Sequence, residues 1–384
     1  MKKKLLAGII SAALLLTACG ADKENNKTGD VNEIIFGGLG PLTGEVSVYG
    51  ISTHNGIKLA IEEINEAGGI MGKKIVYKLE DEKGDQQEAV HAYNKLVDEG
   101  IHVLIGDVTS GPSLTVSEIA KETKIPMVTP TGTQLNITQG KENVFRTCFT
   151  DPYQGVVLAK FAKENLKAKT VAVMSNTSSD YSKGVAQSFI EKAKEYGLEV
   201  VANESYQQGD TDYSAQLTNI AGKNPDIFLI PDYYETLSLI VKQGKAAGIK
   251  ATYLGGDGWD GIISQLKGGD ESAVEGAYFA NHYSVADQNS TVKNFVENYK
   301  KTYNEAPTAF SALGYDTVYM LKKAIEHAGT VEKEALTKAI KNIEFDKAVT
   351  GAFTFDENNN PIKAVTMTKI VDGKYTLSEV VRAK

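Results

Sequence analysis

Cysteine is almost missing from this sequence: 384 residues hold two, Cys19 and Cys148. There is no C-x-x-C pair, and the five histidines (54, 91, 102, 282 and 327) never form H-x-x-x-H. A transition-metal site needs clustered ligands of that kind, so none is expected. Histidines scattered in this way are expected to be structural or exposed. The first glycine loop, GGLGPLTG, offers Gly38 and Gly40 but puts Thr43 where a dinucleotide fingerprint needs its third glycine. No G-x-x-x-x-G-K-[ST] loop and no G-x-S-x-G elbow occurs. Neither a cofactor nor an enzyme is therefore expected. Asp356 to Asn360 resembles a Ca²⁺ loop, but Pro361 stands where glycine is needed, so a plain turn is expected. Basic residues are in deficit, 41 against 49 acidic, for a net charge of −8. Such a balance opposes binding to nucleic acid and to anionic lipid. No repeat of 20–50 residues is visible, which excludes a solenoid. The apolar run from Leu5 to Leu16 is too short to span a bilayer, which takes about 20 residues.

That run belongs to a processing signal. Three lysines precede it, and Leu16-Thr17-Ala18-Cys19 follows as a small-residue cleavage site. The pattern resembles the lipobox of bacterial lipoproteins, which implies cleavage before Cys19 and acylation of its thiol, leaving a membrane-anchored protein outside the cytoplasm. Residues 1–18 are then a signal peptide, and 19–31 are a polar, flexible tether. Removing eighteen residues with three lysines and no acid leaves 366 residues and a net charge of −11. A chain of that length points to two domains. Cys148, the one thiol left unmodified, is expected to be buried and structural.

Short apolar, β-rich runs alternate with helical patterns. Strands are expected at 34–40, 74–81, 102–106 and 126–129, with Ile57, Ala60, Ile61 and Ile64 marking a helix face that ends at Gly68-Gly69. Further helices are expected at 85–99 and 112–122. The rhythm restarts near 150, with strands at 170–174, 198–206, 226–231, 251–256 and 276–281 and helices at 182–196, 212–221 and 235–247. Helical patterns follow at 291–303, 309–328 and 333–342, then strands at 351–356, 363–371 and 374–381. This is the rhythm of two α/β units with mostly parallel sheets. The late helices need a sheet to cover and the tail strands need a sheet to join. The expected division is 32–149 plus 281–349 for the first lobe and 150–280 plus 350–384 for the second, joined by several hinge strands.

In such folds ligands bind beyond the strand C-termini, at helix N-termini. VLIGDVTSGPS places Thr109 and Ser110 there, and PMVTPTGT places Thr131, Gly132 and Thr133 there. Hydroxyls and free helical N–H groups at that position can receive a carboxylate. Ordinary N-capping is the competing reading of each site; two sites on successive strands favour an anion cradle. In the second unit, DIFLIPDYYE supplies Asp232, Tyr233 and Tyr234, and YLGGDGWDG supplies Asp257 and Trp259. A carboxylate there can pair with an ammonium, and the aromatics can wall an apolar side chain. An acidic cap beside exposed rings is the alternative.

From about residue 33 to the C-terminus the chain resembles the leucine/isoleucine/valine-binding family of ABC transporter receptors. The resemblance is carried, in order, by GPLTGEVSVYG, GIKLAIEEINEAGGIMGKKI, VLIGDVTSGPS, IPMVTPTGTQ, NTSSDYSKG, DYYE, GGDGWDG and APTAFSALGYD. It implies the type I periplasmic-binding-protein fold, with two Rossmann-like lobes around parallel central sheets and a multi-strand hinge. It also implies that Ser110 and Thr133 bind a ligand carboxylate. The ammonium would meet the Thr131 carbonyl, the Thr133 hydroxyl and the Asp257 carboxylate. Tyr49, Val108, Thr109, Gly132, Tyr181, Tyr233 and Phe310 would line a side-chain pocket, and Trp259 is expected close by. Well-known aliphatic binders of the family carry Glu at the position of Asp257, Cys at Thr109 and two alanines at Thr131-Gly132, which leaves the side-chain preference open. The implied function is capture of a branched-chain L-amino acid by cleft closure and delivery to ABC permease subunits, by a monomer. The competing ligands are alanine, an aromatic amino acid, an amide or urea; a sensory role without transport is the other alternative.

Overall fold

The computed structural model describes residues 33–266 and 268–382. The signal sequence, Cys19 and the whole tether lie outside the described residues. In the first lobe, β1 (Glu33–Gly40), α1 (Ser47–Glu66), β2 (Lys74–Asp81), α2 (Gln86–Asp98), β3 (Val103–Ile105), α3 (Ser110–Thr123), β4 (Met127–Thr129) and β5 (Val144–Arg146) follow one another. The five strands form a parallel sheet in the order β2-β1-β3-β4-β5. β1 is buried along most of its length, as a strand covered on both faces must be. Ile57, Ala60, Ile61 and Ile64 of α1 pack on this sheet beside Phe36, Val103 and Val128. The turn ending α1 needs glycine: Gly68 and Gly69 have φ of 104° and 79°. β5 was not anticipated, because three residues are too few to show a period.

The second lobe runs through α4 (Asp151–Glu164), β6 (Thr170–Asn176), α5 (Asp180–Glu195), β7 (Glu199–Tyr206), α6 (Ser214–Lys223), β8 (Ile227–Leu229), α7 (Tyr234–Ala246), β9 (Thr252–Gly255), α8 (Ile262–Gln265) and β10 (Tyr278–Asn281). α4 was also missed, because Pro152 and Gly155 look like punctuation. Yet Pro152 sits in the first turn, where its missing N–H has no intrahelical partner to lose. Gly155 lets α5 approach closely: a Cβ there would lie 2.7 Å from the Phe189 backbone nitrogen. The chain then returns to the first lobe with α9 (Ser290–Tyr303), α10 (Ala309–Ala328), α11 (Lys333–Lys341), β11 (Glu344–Phe345) and β12 (Phe353–Thr354). Val318, Leu321, Ile325 and Leu336 of these helices join the first-lobe core. Finally β13 (Val365–Val371) and β14 (Lys374–Val381) extend the second sheet to β14-β13-β10-β9-β8-β6-β7. That sheet is parallel except at β10–β13 and β13–β14.

The chain thus crosses between sheets three times: after β5, after β10 and before β13. One expected strand is corrected. Residues 351–356 do not join the second sheet; Phe353–Thr354 pairs with Glu344–Phe345 in a small two-stranded sheet. Phe345 and Phe353 belong to the first-lobe core, and the Asn359 amide donates to the carbonyls of Lys141 and Val144. The last crossing therefore falls just before β13 and not near residue 349. The turn at 356–360 is closed by Asp356, whose Oδ1 accepts the Asn358 and Asn360 N–H groups at 2.9 and 2.8 Å.

Candidate ligand-binding site

The lobes meet over the C-terminal ends of their strands and leave a small cavity of about 10 Å³ between them. Val108, Thr109, Ser110, Thr131 and Thr133 line it from the first lobe. Tyr181, Tyr233, Asp257 and Gly258 face them from the second, and Phe310 of α10 closes one side. A larger lysine-rich groove beside α11 is lined by none of the expected site residues.

The first-lobe wall is a helix N-terminus whose cap is unused. Thr109 occupies the N-cap of α3, yet its side chain makes no capping bond, which goes against the ordinary-capping reading there. Ser110 is the first residue of the helix, and its hydroxyl lies 3.4 Å from that of Thr133. Thr131 donates its hydroxyl to the Val108 carbonyl at 2.6 Å and so fixes the adjoining loop. Arg146, on the unanticipated β5, is wholly buried and holds that loop by donating to the carbonyls of Gly132 and Gln134, both at 2.8 Å. These hydroxyls and the first N–H groups of α3 suit an anion.

The opposite wall is aromatic. Tyr181 and Tyr233 stack with centroids 5.1 Å apart and planes 4° apart. Burial pushes both phenols well above their ordinary pKa, so they stay neutral donors. Asp257, 3 % exposed, lines the cavity with them. Its Oδ1 accepts the Gln154 amide at 3.0 Å, while its own N–H donates to Gln154 Oε1 at 2.9 Å. Its Oδ2 lies 3.2 Å from His282 Nε2. Neither Gln154 nor His282 was anticipated; they lie 103 and 25 residues away in sequence. A second acid, Asp151, also lies buried beside Thr133, its N–H donating to the Thr133 carbonyl at 2.9 Å. Neither of its carboxyl oxygens has a hydrogen-bond partner among the described residues. Burial drives its pKa well above the carboxylate range, which the nearby Thr133 hydroxyl only partly offsets.

Five expected residues, Tyr234 among them, stand away from the cavity. Gly132 faces the first-lobe interior, where a Cβ would lie 2.7 Å from the hydroxyls of Ser113 and Thr129; it serves close packing and does not enlarge the pocket. Tyr49 stacks behind Phe310 with centroids 4.3 Å apart and bridges the lobes, its hydroxyl donating to the Gly258 carbonyl at 2.5 Å and accepting the Tyr234 N–H at 3.0 Å. Trp259 points into the second-lobe core, its indole N–H donating to the Ile230 carbonyl at 2.7 Å. Asp232 is satisfied internally by the Tyr206 hydroxyl and the Tyr233 N–H. Cys148 is fully buried, and burial pushes its thiol up to about 12.

Two α/β lobes with three crossings and a polar cavity between their strand ends define a bilobal solute receptor. A family model described as periplasmic binding protein matches residues 33–374, and the chain belongs to that family. Within it, a Leu/Ile/Val-binding protein of Rhizobium johnstonii is 34 % identical over 90 % of this chain and 94 % of its own. A leucine-, isoleucine-, valine-, threonine- and alanine-binding protein of Pseudomonas aeruginosa is 30 % identical over 84 % and 85 %. Among solved structures, the Thermotoga maritima leucine-binding protein superposes with a TM-score of 0.85 at 36 % identity, over 91 % of this chain and 99 % of that one. The isoleucine-bound Streptococcus pneumoniae branched-chain amino acid transporter substrate-binding protein also scores 0.85, at 32 % identity over 91 % and 100 %. The fold is thus type I, and the protein is an extracytoplasmic solute-binding component of an ABC importer rather than an enzyme.

Proposed function

We propose that this protein captures branched-chain L-amino acids in the cleft and presents them to the importer's permease subunits. One observation carries the reading: an uncapped, hydroxyl-bearing helix N-terminus on one lobe faces a single cavity-lining carboxylate, Asp257, on the other. That pairing suits a zwitterion. Ser110 and Thr133 receive the carboxylate, Asp257 receives the ammonium, and Tyr181, Tyr233 and Phe310 wall the side chain. The names of the relatives above support leucine, isoleucine and valine as ligands. The first lobe comprises 33–149 plus the segment between β10 and β13, and the second comprises the rest. The protein acts as a monomer, anchored through acylated Cys19.

Titration calorimetry of ligand-stripped protein tests the ligand. One methylene in an apolar pocket is worth only about 1–3 kcal/mol, so Leu, Ile and Val should all bind within a few hundredfold. Preference for an acidic or basic amino acid, or for urea, overturns the assignment. Release of a Cys19→Ala variant from the membrane fraction checks the anchor.

A further inference from the structure

Asp257 is one methylene shorter than glutamate and must present its carboxylate from a short stem. Two side chains fix how it does so. Gln154 grips one edge twice, donating to Oδ1 and accepting the Asp257 N–H. That grip leaves the tilt of Oδ2 undetermined, and only His282 meets Oδ2 among the described residues.

We propose that His282 is a positioning residue for ligand binding: through Nε2 it holds Oδ2 of Asp257 so that both carboxylate oxygens turn a free lone pair toward the ligand ammonium. The proposal rests on the reading that Asp257 receives the amine. The imidazole is 2 % exposed and stacks on Phe149 with centroids 3.8 Å apart. Its Nδ1 is buried with no partner among the described residues. A proton on Nδ1 would be a buried, unsatisfied donor, so the neutral ring carries its proton on Nε2 and donates it to Asp257. Burial lowers the pKa of the ring and keeps it neutral; Lys363 nearby acts in the same direction, while Asp257 opposes. A neutral donor is what the site requires, because an imidazolium would cancel the charge that attracts the ammonium. A carboxylate has about four acceptor positions. Gln154 and His282 occupy one on each oxygen, and the other two remain for the ligand. The histidine follows directly on β10, so the acid is tied to the second hinge crossing.

Stacking on Phe149 offers a rival explanation, namely that His282 merely fills the core. Two substitutions separate these roles. His282→Phe keeps a ring on Phe149 and deletes the donor; His282→Gln deletes the ring and keeps an N–H at the reach of Nε2. Leucine affinities by calorimetry should fall about tenfold or more in H282F, the loss expected for a hydrogen bond to a charged group. H282Q should restore binding to within about threefold of wild type. In a D257N background, H282F should cost nothing further, because it acts through the missing charge. The proposal is overturned if H282Q binds as weakly as H282F, or if H282F weakens leucine equally with and without D257N. Should H282F fail to fold, H282Q decides alone: retained affinity supports the donor role and lost affinity refutes it. Unchanged leucine binding by D257N would instead overturn the ammonium assignment itself, a separate failure.

Discussion

Replacing Asp257 by alanine removes the only carboxylate among the residues that line the cavity. A unit charge about 4 Å from an ammonium, at the effective dielectric of about 20 that suits such sites, contributes about 4 kcal/mol. Leaving the ammonium buried and unpaired gives a similar figure, about 2–5 kcal/mol. At 1.36 kcal/mol per decade this is a loss of about thirtyfold to several thousandfold in leucine affinity. Stability should fall as well, because the Gln154 amide and the His282 Nε2–H are left as buried donors without an acceptor, each costing about 1–3 kcal/mol. The expected result is an apo melting temperature below wild type, with the leucine-induced rise sharply reduced. Calorimetric titration supplies the affinity and differential scanning calorimetry the melting. A loss below threefold would show that the charge does not meet the ligand.

Three other outcomes follow from the same geometry. Ser110→Ala removes one donor from the first-lobe wall and should cost about 1–3 kcal/mol of leucine affinity, read by the same titration. Gly56→Ala should destabilise the first lobe by about 1–3 kcal/mol or more in denaturant unfolding, because a Cβ there would lie 1.9 Å from the Ser311 carbonyl oxygen between α1 and α10. Cys148 should resist alkylation in the native protein at neutral pH and react fully in denaturant, since the buried thiol is held neutral with a pKa of about 12.

Elements with many turns of clear pattern were legible in the sequence: α10 begins and ends where its apolar spacing does, and β2 spans the expected residues. β5 and α4 were not, the first for brevity and the second because Pro152 starts the helix and Gly155 serves close packing, so neither is a break. The site divides in the same way. Polar residues just past strand ends (Ser110, Thr133, Asp257) do reach one cavity, because a doubly wound sheet sends every strand end to the same edge. The sequence does not say which way a neighbouring residue turns. Gly132 and Trp259 flank the loops correctly but point inward. His282 and Gln154 have no local signature; only the tertiary fold brings them to Asp257.

The closed cleft is held by contacts that need no ligand. Tyr49 bonds Gly258, Tyr234 donates to the Glu45 carbonyl at 2.7 Å, and Asp260 accepts the Ala309 N–H at 2.8 Å at the start of α10. Each such bond contributes about 1 kcal/mol net, of the same order as the entropy lost in ordering the side chains that make it. Closure without ligand is therefore close to balance. Moving such an equilibrium from balance to 99:1 takes about 2.7 kcal/mol of preference for the closed state. Asp257, reached only when the second lobe arrives, supplies about 2–5 kcal/mol, and Tyr181 and Tyr233, which also belong to the second lobe, add to it. An analogue of leucine that keeps the carboxylate and side chain but lacks the amine should thus bind the first lobe and fail to close the cleft. In small-angle scattering it should leave the radius of gyration at the apo value, whereas leucine compacts it. Equal compaction by both ligands would mean that closure is driven by something other than the acid.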